Sequence, residues 1–208
     1  MPYQMIHLQI ADALAQNHPM LLNNPEFFLG TISPDAIHAR RSNTTTVEKY
    51  GTHLKPAGPD GLKEVTAYWA EQGRSPFHIG YGMHVMTDRL WTRFYPSAFP
   101  NIMRAEGGTR VDIYRPDVEW IDWTIYKRSP GAKRLLDLLR AAVPPARHPY
   151  LTSDEISRWR DDVIEWYEGE KLLAEGLPKV LTLKGTVAFM EEAVGKLEVL
   201  MGEDDRDE

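Results

Sequence analysis

The chain has 208 residues, 42% of them hydrophobic and 26% charged, the make-up of a globular domain long enough to bury a core. Its formal net charge of −6 argues against generic binding to nucleic-acid backbones, which needs a basic face. It has no cysteine, so disulfides, thiolate nucleophiles and cysteine-type zinc sites are excluded, and any metal must be held by nitrogen and oxygen.

In chain order the hydrophobic pattern is helical. Apolar residues at 5, 6, 10, 13 and 14 predict a short amphipathic helix from Met5 to Leu14. Pro25 opens a second segment through Phe27, Phe28 and Leu29 that ends near Gly30, and Ser33-Pro34-Asp35 has the capping hydroxyl, proline and acid of a helix start. The polar stretch from Arg41 to Gly61 reads as a long loop, of a length that suggests a functional or surface-wrapping role. Helix is expected again from Leu62 to Gln72, stopped by Gly73, and from Ser75-Pro76 through Trp91. Residues 96–108 read as irregular or briefly helical. Further helices are expected over Asp117–Tyr126 and Ala132–Val143, the second ended by Pro144-Pro145. Thr152-Ser-Asp-Glu155 is a capping box before a helix to about Glu175, and Thr182–Met201 closes the fold. No repeat and no strand alternation stands out. The expected fold is all-α, a compact multi-helix bundle spanning residues 1–201, with 202–208 as an acidic, solvated tail.

Residues 84–90, His-Val-Met-Thr-Asp-Arg-Leu, carry the strongest chemical signal. His84 and Asp88 stand at i and i+4, on one face of a helix, where an imidazole nitrogen and a carboxylate can reach one cation. Phe77, Tyr81 and Trp91 share that stripe, so the carboxylate is expected to be buried, and a buried carboxylate must be paired or bind metal. A plain His–Asp hydrogen bond is the alternative. Gly80 and Gly82 weaken the helix by about 1 kcal/mol each relative to Ala, which suggests close approach of another backbone or a ligand.

The remaining candidates have ordinary explanations beside the functional ones. Asp35 suits the positive end of a helix; His38, one turn on, is either a site neighbour facing substrate or a surface histidine. His53 lies in the predicted loop, and His7 beside Ile6 reads as a core histidine. His18 and His148, each next to a proline, look like turn residues, and His78 points away from His84. Asp117 and Asp122 fit the polar face of their helix.

Taken together, Phe28-Leu-Gly-Thr-Ile-Ser-Pro-Asp35, the loop histidine at Thr52-His53 and Gly80-x-x-x-His84-x-x-x-Asp88, with His7 upstream, resemble the zinc-dependent phospholipase C and S1/P1 nuclease superfamily over roughly the first 90 residues. The resemblance implies an all-helical phosphoesterase. Asp35, His53, His84 and Asp88 would form one zinc site, Asp88 would bridge to a second ion held also by His7, and Asp35 would double as the catalytic base. The secreted members use an N-terminal tryptophan where this chain has Met1-Pro2. They also carry a further histidine after the His-x-x-x-Asp motif, then a third-ion pair, and here the only later histidine is His148, with Thr152 at i+4. Asp117 and Asp122 are the candidates to replace the lost ligands, with Tyr81 and His38 expected in an outer or substrate-facing role.

The expectation is a reduced one- or two-metal hydrolase, zinc first, with manganese, iron or nickel as alternatives. It would act on a small phosphorylated substrate through a metal-bound hydroxide. Arg40, Arg41, Lys49 and Lys55 flank the proposed ligands as candidate phosphate contacts. Neither a secretion signal nor a stretch of about 18 apolar residues is present, so a cytoplasmic protein without a transmembrane segment is expected. The aromatic segment 114–126 serves either the core or an interface between copies. Two other readings stand: a helical phosphohydrolase of the HD type, although no His-Asp dipeptide occurs, and a non-catalytic helical protein whose metal or His–Asp cluster is structural.

Overall fold

The computed structural model describes residues 2–41, 44–54, 62–98, 110–169 and 178–203, and among them no strand occurs. The α-helices are α1 (Gln4–Ala15), α2 (Pro25–Gly30), α3 (Thr46–Thr52), α4 (Leu62–Gln72), α5 (Pro76–Ala98), α6 (Arg110–Arg128), α7 (Ala132–Ala141), α8 (Ser153–Glu168) and α9 (Leu183–Glu203); a 3-10 helix covers Ser33–Ala39. The all-α expectation holds, and no helix among the described residues is long and apolar enough to cross a membrane.

Three sequence expectations need correction. Within the predicted loop, Thr46–Thr52 is helical, because Thr45 and Glu48 form a reciprocal capping box that satisfies the free N–H groups of the first turn. The helix after Thr152 stops at Gly169, short of Glu175, and residues 170–177 lie outside the described ones. The last helix continues through Met201 to Glu203; the expected acidic tail from 204 onward lies outside the described residues.

Helix α5 is the hub, touching α1, α2, α4, α9 and the 3-10 helix. Its apolar stripe buries Phe77, Tyr81 and Trp91 among Phe27, Phe28, Leu29, Val65 and Phe189. Each such side chain contributes about 1.5–3 kcal/mol by leaving water. The α2–α5 crossing is set by two glycines facing each other's backbone. A Cβ on Gly30 would run into the Phe77 carbonyl, and one on Gly80 into the Phe27 carbonyl. Gly82 makes room for the Trp69 ring instead. The close approach suggested by Gly80 and Gly82 is therefore to protein, a helix backbone in one case and an indole in the other.

The first turn of α1 has no side-chain cap of its own. The Met5 N–H donates to the Tyr167 hydroxyl at 2.7 Å and the Ile6 N–H to Asp122 Oδ1 at 3.0 Å. Tyr167 in turn donates to the other oxygen of Asp122. Two buried groups from α6 and α8 thus close the end of the helix that carries His7, supplying partners that its own sequence lacks.

Candidate metal centre

Five predicted ligands converge although they come from four separate elements. His7 projects from α1, Asp35 from the 3-10 helix, His53 from the C-terminal cap of α3, and His84 and Asp88 from α5. All five are buried, His84 to 1% exposure and Asp88 to 4%. His53 Nε2 lies 3.2 Å from Asp35 Oδ1 and 3.6 Å from Asp88 Oδ2. His84 Nε2 lies 4.0 Å from Asp35 Oδ2 and 3.8 Å from Asp88 Oδ2. On the far side, His7 Nε2 is 3.5 Å from Asp88 Oδ1. Asp88 therefore offers one oxygen to the His53–His84 side and the other to His7. Two overlapping groups result, Asp35–His53–His84 and His7–His84–Asp88, each with its ligand atoms within 4.8 Å of one another.

The backbone decides which nitrogens face the centre. His84 Nδ1 is 2.8 Å from the Thr31 carbonyl, and His53 Nδ1 is 3.1 Å from the Lys49 carbonyl. A carbonyl only accepts, so the Thr31 contact calls for a proton on His84 Nδ1. His53 Nδ1 lies 3.1 Å from the Thr52 hydroxyl as well as from the Lys49 carbonyl, and a neutral ring protonated at Nδ1 turns its Nε2 lone pair inward. Those lone pairs meet carboxylate oxygens, which also only accept. Such a set is stable around a cation and unfavourable without one. In a tetrahedral zinc site, bonds of about 2.0–2.1 Å separate neighbouring donor atoms by about 3.3 Å. The observed 3.2–4.0 Å needs only a small contraction. These residues fit a divalent ion.

The electrostatics point the same way. Burial pushes the Asp35 carboxyl up, but in the acid range where it titrates, donation from a protonated His53, the charge of a protonated His84 and the Gln4 amide outweigh burial and hold Asp35 well below the usual carboxylate range. Asp88 is also lowered, burial being overcome by His7, His84 and His53. His84 is pushed down to about 4, chiefly by burial and next by His7. At neutral pH the two carboxylates are ionised and His84 is uncharged, which leaves buried negative charge for a metal to neutralise.

Of the surrounding candidates, His38 stands at the exposed rim, its Nε2 4.0 Å from Asp35 Oδ1. Tyr81 donates its hydroxyl to the Thr52 carbonyl, immediately before His53, and so pins the end of α3. Asp122 caps α1, as described. Asp117 lies apart: its Oδ2 accepts the N–H groups of Lys179, Val180 and Leu181 and fastens the approach to α9. Arg40, offered above for substrate phosphate, is bound instead to Glu155 and Glu48 and tethers the 3-10 helix to α8 and α3. Lys55 lies outside the described residues. His148 is more than a turn residue, since its ring packs 4.6 Å from Tyr81 and its Nε2 is 2.9 Å from the Tyr68 hydroxyl.

Sequence reasoning missed Gln4, whose Nε2 donates to Asp35 Oδ2 at 2.8 Å. Its signal was its place three residues before His7, on the same face of α1. No family model matches the chain, and neither do any curated protein or solved structure.

Proposed function

We propose that this chain is a metal-dependent phosphoester hydrolase, with zinc as the first choice of ion. The observation that carries this reading is the inward-facing set of acceptors, two histidine lone pairs locked by the Thr31 and Lys49 carbonyls against two ionised carboxylates. Asp35, His53, His84 and Asp88 would hold one ion, and Asp88 would bridge to a second that His7 also holds. Bound there, zinc lowers the pKa of a water toward neutrality and draws charge from a phosphoryl oxygen.

The chain's own residues do the rest. Asp35, kept ionised and aimed by Gln4, orients the attacking water and receives its proton at Oδ1. His38 Nε2, 4.0 Å away and partly exposed, exchanges that proton with solvent. The oxygen of water forms the new bond to phosphorus, the bond to the leaving alcohol breaks, and the alkoxide takes a proton from solvent, which replaces the one that left through Asp35. The resemblance to the phospholipase C and P1 nuclease superfamily supports the same chemistry by analogy only.

A second reading has one observation of its own. His7, His84 and Asp88 are almost wholly buried, as in a closed structural site. Metal content by plasma mass spectrometry, on wild type beside His84→Ala and Asp35→Ala, tests whether an ion is held. Stoichiometric metal that falls in both variants, with turnover of aryl phosphate mono- or diesters, supports the hydrolase. Stoichiometric metal without turnover, and a cobalt(II) spectrum unmoved by phosphate, favours the structural ion. Absence of metal uptake overturns both.

A further inference from the structure

The Gln4 side chain is 8% exposed and divided in its duties. Its Nε2 donates to Asp35, and this assignment of nitrogen and oxygen is forced, because an ionised carboxylate accepts and cannot donate. Its Oε1 is then the end left over, buried and without a hydrogen-bond partner among the described residues. It sits one amide width from the Asp35 contact, on the α1 face that also presents His7. Leaving a buried carbonyl unsatisfied is unfavourable, so an acceptor in this position is suited to a donor that arrives with the ligand.

We infer that Gln4 reads a proton on the bound oxyanion: Oε1 accepts a hydrogen bond from a P–O–H or similar hydroxyl while Nε2 holds Asp35. This rests on the metal-centred phosphate reading above and adds a preference to it. Among the described residues, the other inward-facing groups of the centre are acceptors that serve the cation, so Gln4 is the group placed to distinguish a singly protonated phosphoryl group from a fully ionised one. The ligand class selected is a phosphate or phosphomonoester that retains one O–H, over dianions that have none. The principle is familiar from sites built around a hydrogen bond: the analogue that lacks the donor leaves a buried polar group unpaired and is rejected.

Inorganic phosphate and sulfate give a test that needs no turnover. At slightly alkaline pH they are dianions of nearly the same size and shape, differing by one proton. Titration calorimetry of the zinc-loaded protein should show phosphate bound at least about tenfold more tightly than sulfate. In Gln4→Met, which keeps the bulk and removes the acceptor, the two affinities should converge. Equal affinity in wild type overturns the inference and leaves the metal-centred reading intact. A preference that survives undiminished in Gln4→Met assigns the proton reading elsewhere and also overturns it. A zinc-loaded wild type that binds neither anion removes the phosphate reading and this inference together. Should Gln4→Met fold poorly, Gln4→Leu in the same comparison decides the second point, a preference retained there overturning the inference and a lost one supporting it.

Discussion

The imidazole rings of His7 and His84 lie face to face, their centres 4.0 Å apart and their planes within 9°. Two protonated rings would repel at that spacing, and burial already drives His84 toward neutrality. The stack joins α1 to α5 at the centre. Asp88 reaches both rings, its Oδ1 3.5 Å from His7 Nε2 and its Oδ2 3.8 Å from His84 Nε2.

Asp88 is the group shared by both halves of the centre, so its charge matters more than its bulk. Asp88→Asn should abolish stoichiometric zinc binding, because one oxygen and the negative charge are lost together. Without metal the same variant should be more stable than wild type by about 1 kcal/mol, since the new amide supplies donors to a cluster made of acceptors. Denaturant titrations of both proteins in chelator, beside metal analysis, would show it; equal or lower apo stability contradicts the argument.

The metal-free protein should be acid-labile above the range of ordinary carboxylates. His84 and His148 are both pushed down to about 4, by burial first and then by a neighbouring histidine, whereas an unfolded histidine titrates near 6.5. Between those values the unfolded chain binds more protons than the folded one, so stability falls as pH drops from about 6.5 to about 4. The loss is roughly 3 kcal/mol for His84 and less for His148, which keeps part of its ring in water. The depressed carboxyls of Asp35 and Asp88 act below this window, stabilising the fold above about 3.9 and ceasing to do so as they protonate. Urea midpoints across this range should therefore decline with acid, and His148→Phe should flatten the slope by up to one proton.

Gly80→Ala should damage both stability and the centre. The new Cβ meets the Phe27 carbonyl, a backbone atom that cannot turn aside, so α2 must move off α5. A loss of about 2–3 kcal/mol is expected from such overpacking. Thr31 follows α2 directly, and its carbonyl fixes the His84 tautomer, so zinc affinity should fall as well. Gly195→Ala on α9, where nothing lies within 4 Å of the added methyl, is the control that should be neutral or slightly stabilising.

Tyr81→Phe separates positioning from bulk. The ring stays, and the hydrogen bond to the Thr52 carbonyl goes, at a cost of about 1 kcal/mol. With the end of α3 less firmly held, His53 should bind zinc about tenfold more weakly, the scale seen when groups supporting a ligand are removed. Chelator competition on the folded variant measures this, and an unchanged affinity would show that Thr52 is held well enough by other contacts.

Much of this arrangement is written in local pattern. His84 and Asp88 are i and i+4 on a helix flanked by Ser75-Pro76, so their shared face follows from helical geometry alone. Helix α3 escaped because Thr46–Thr52 has no apolar period and contains Gly51; it is held by the Thr45–Glu48 cap, by Arg40 on Glu48 and by the distant Tyr81 hydroxyl on the Thr52 carbonyl. The role of Arg40 was equally hidden, since its partner Glu155 is 115 positions away. Gln4 carries no charge and belongs to no motif, and only the tertiary meeting of α1 with the 3-10 helix makes it a neighbour of Asp35.

The Asp122–Tyr167 cap on α1 has a consequence for how the molecule can be divided. A fragment ending with α5 would contain all five donors, in order, and still lack the centre. The helix presenting His7 is anchored by a carboxylate and a phenol from the other half of the chain. The later helices thus act as a mould: they contribute no ligand, yet they determine whether the ligands meet.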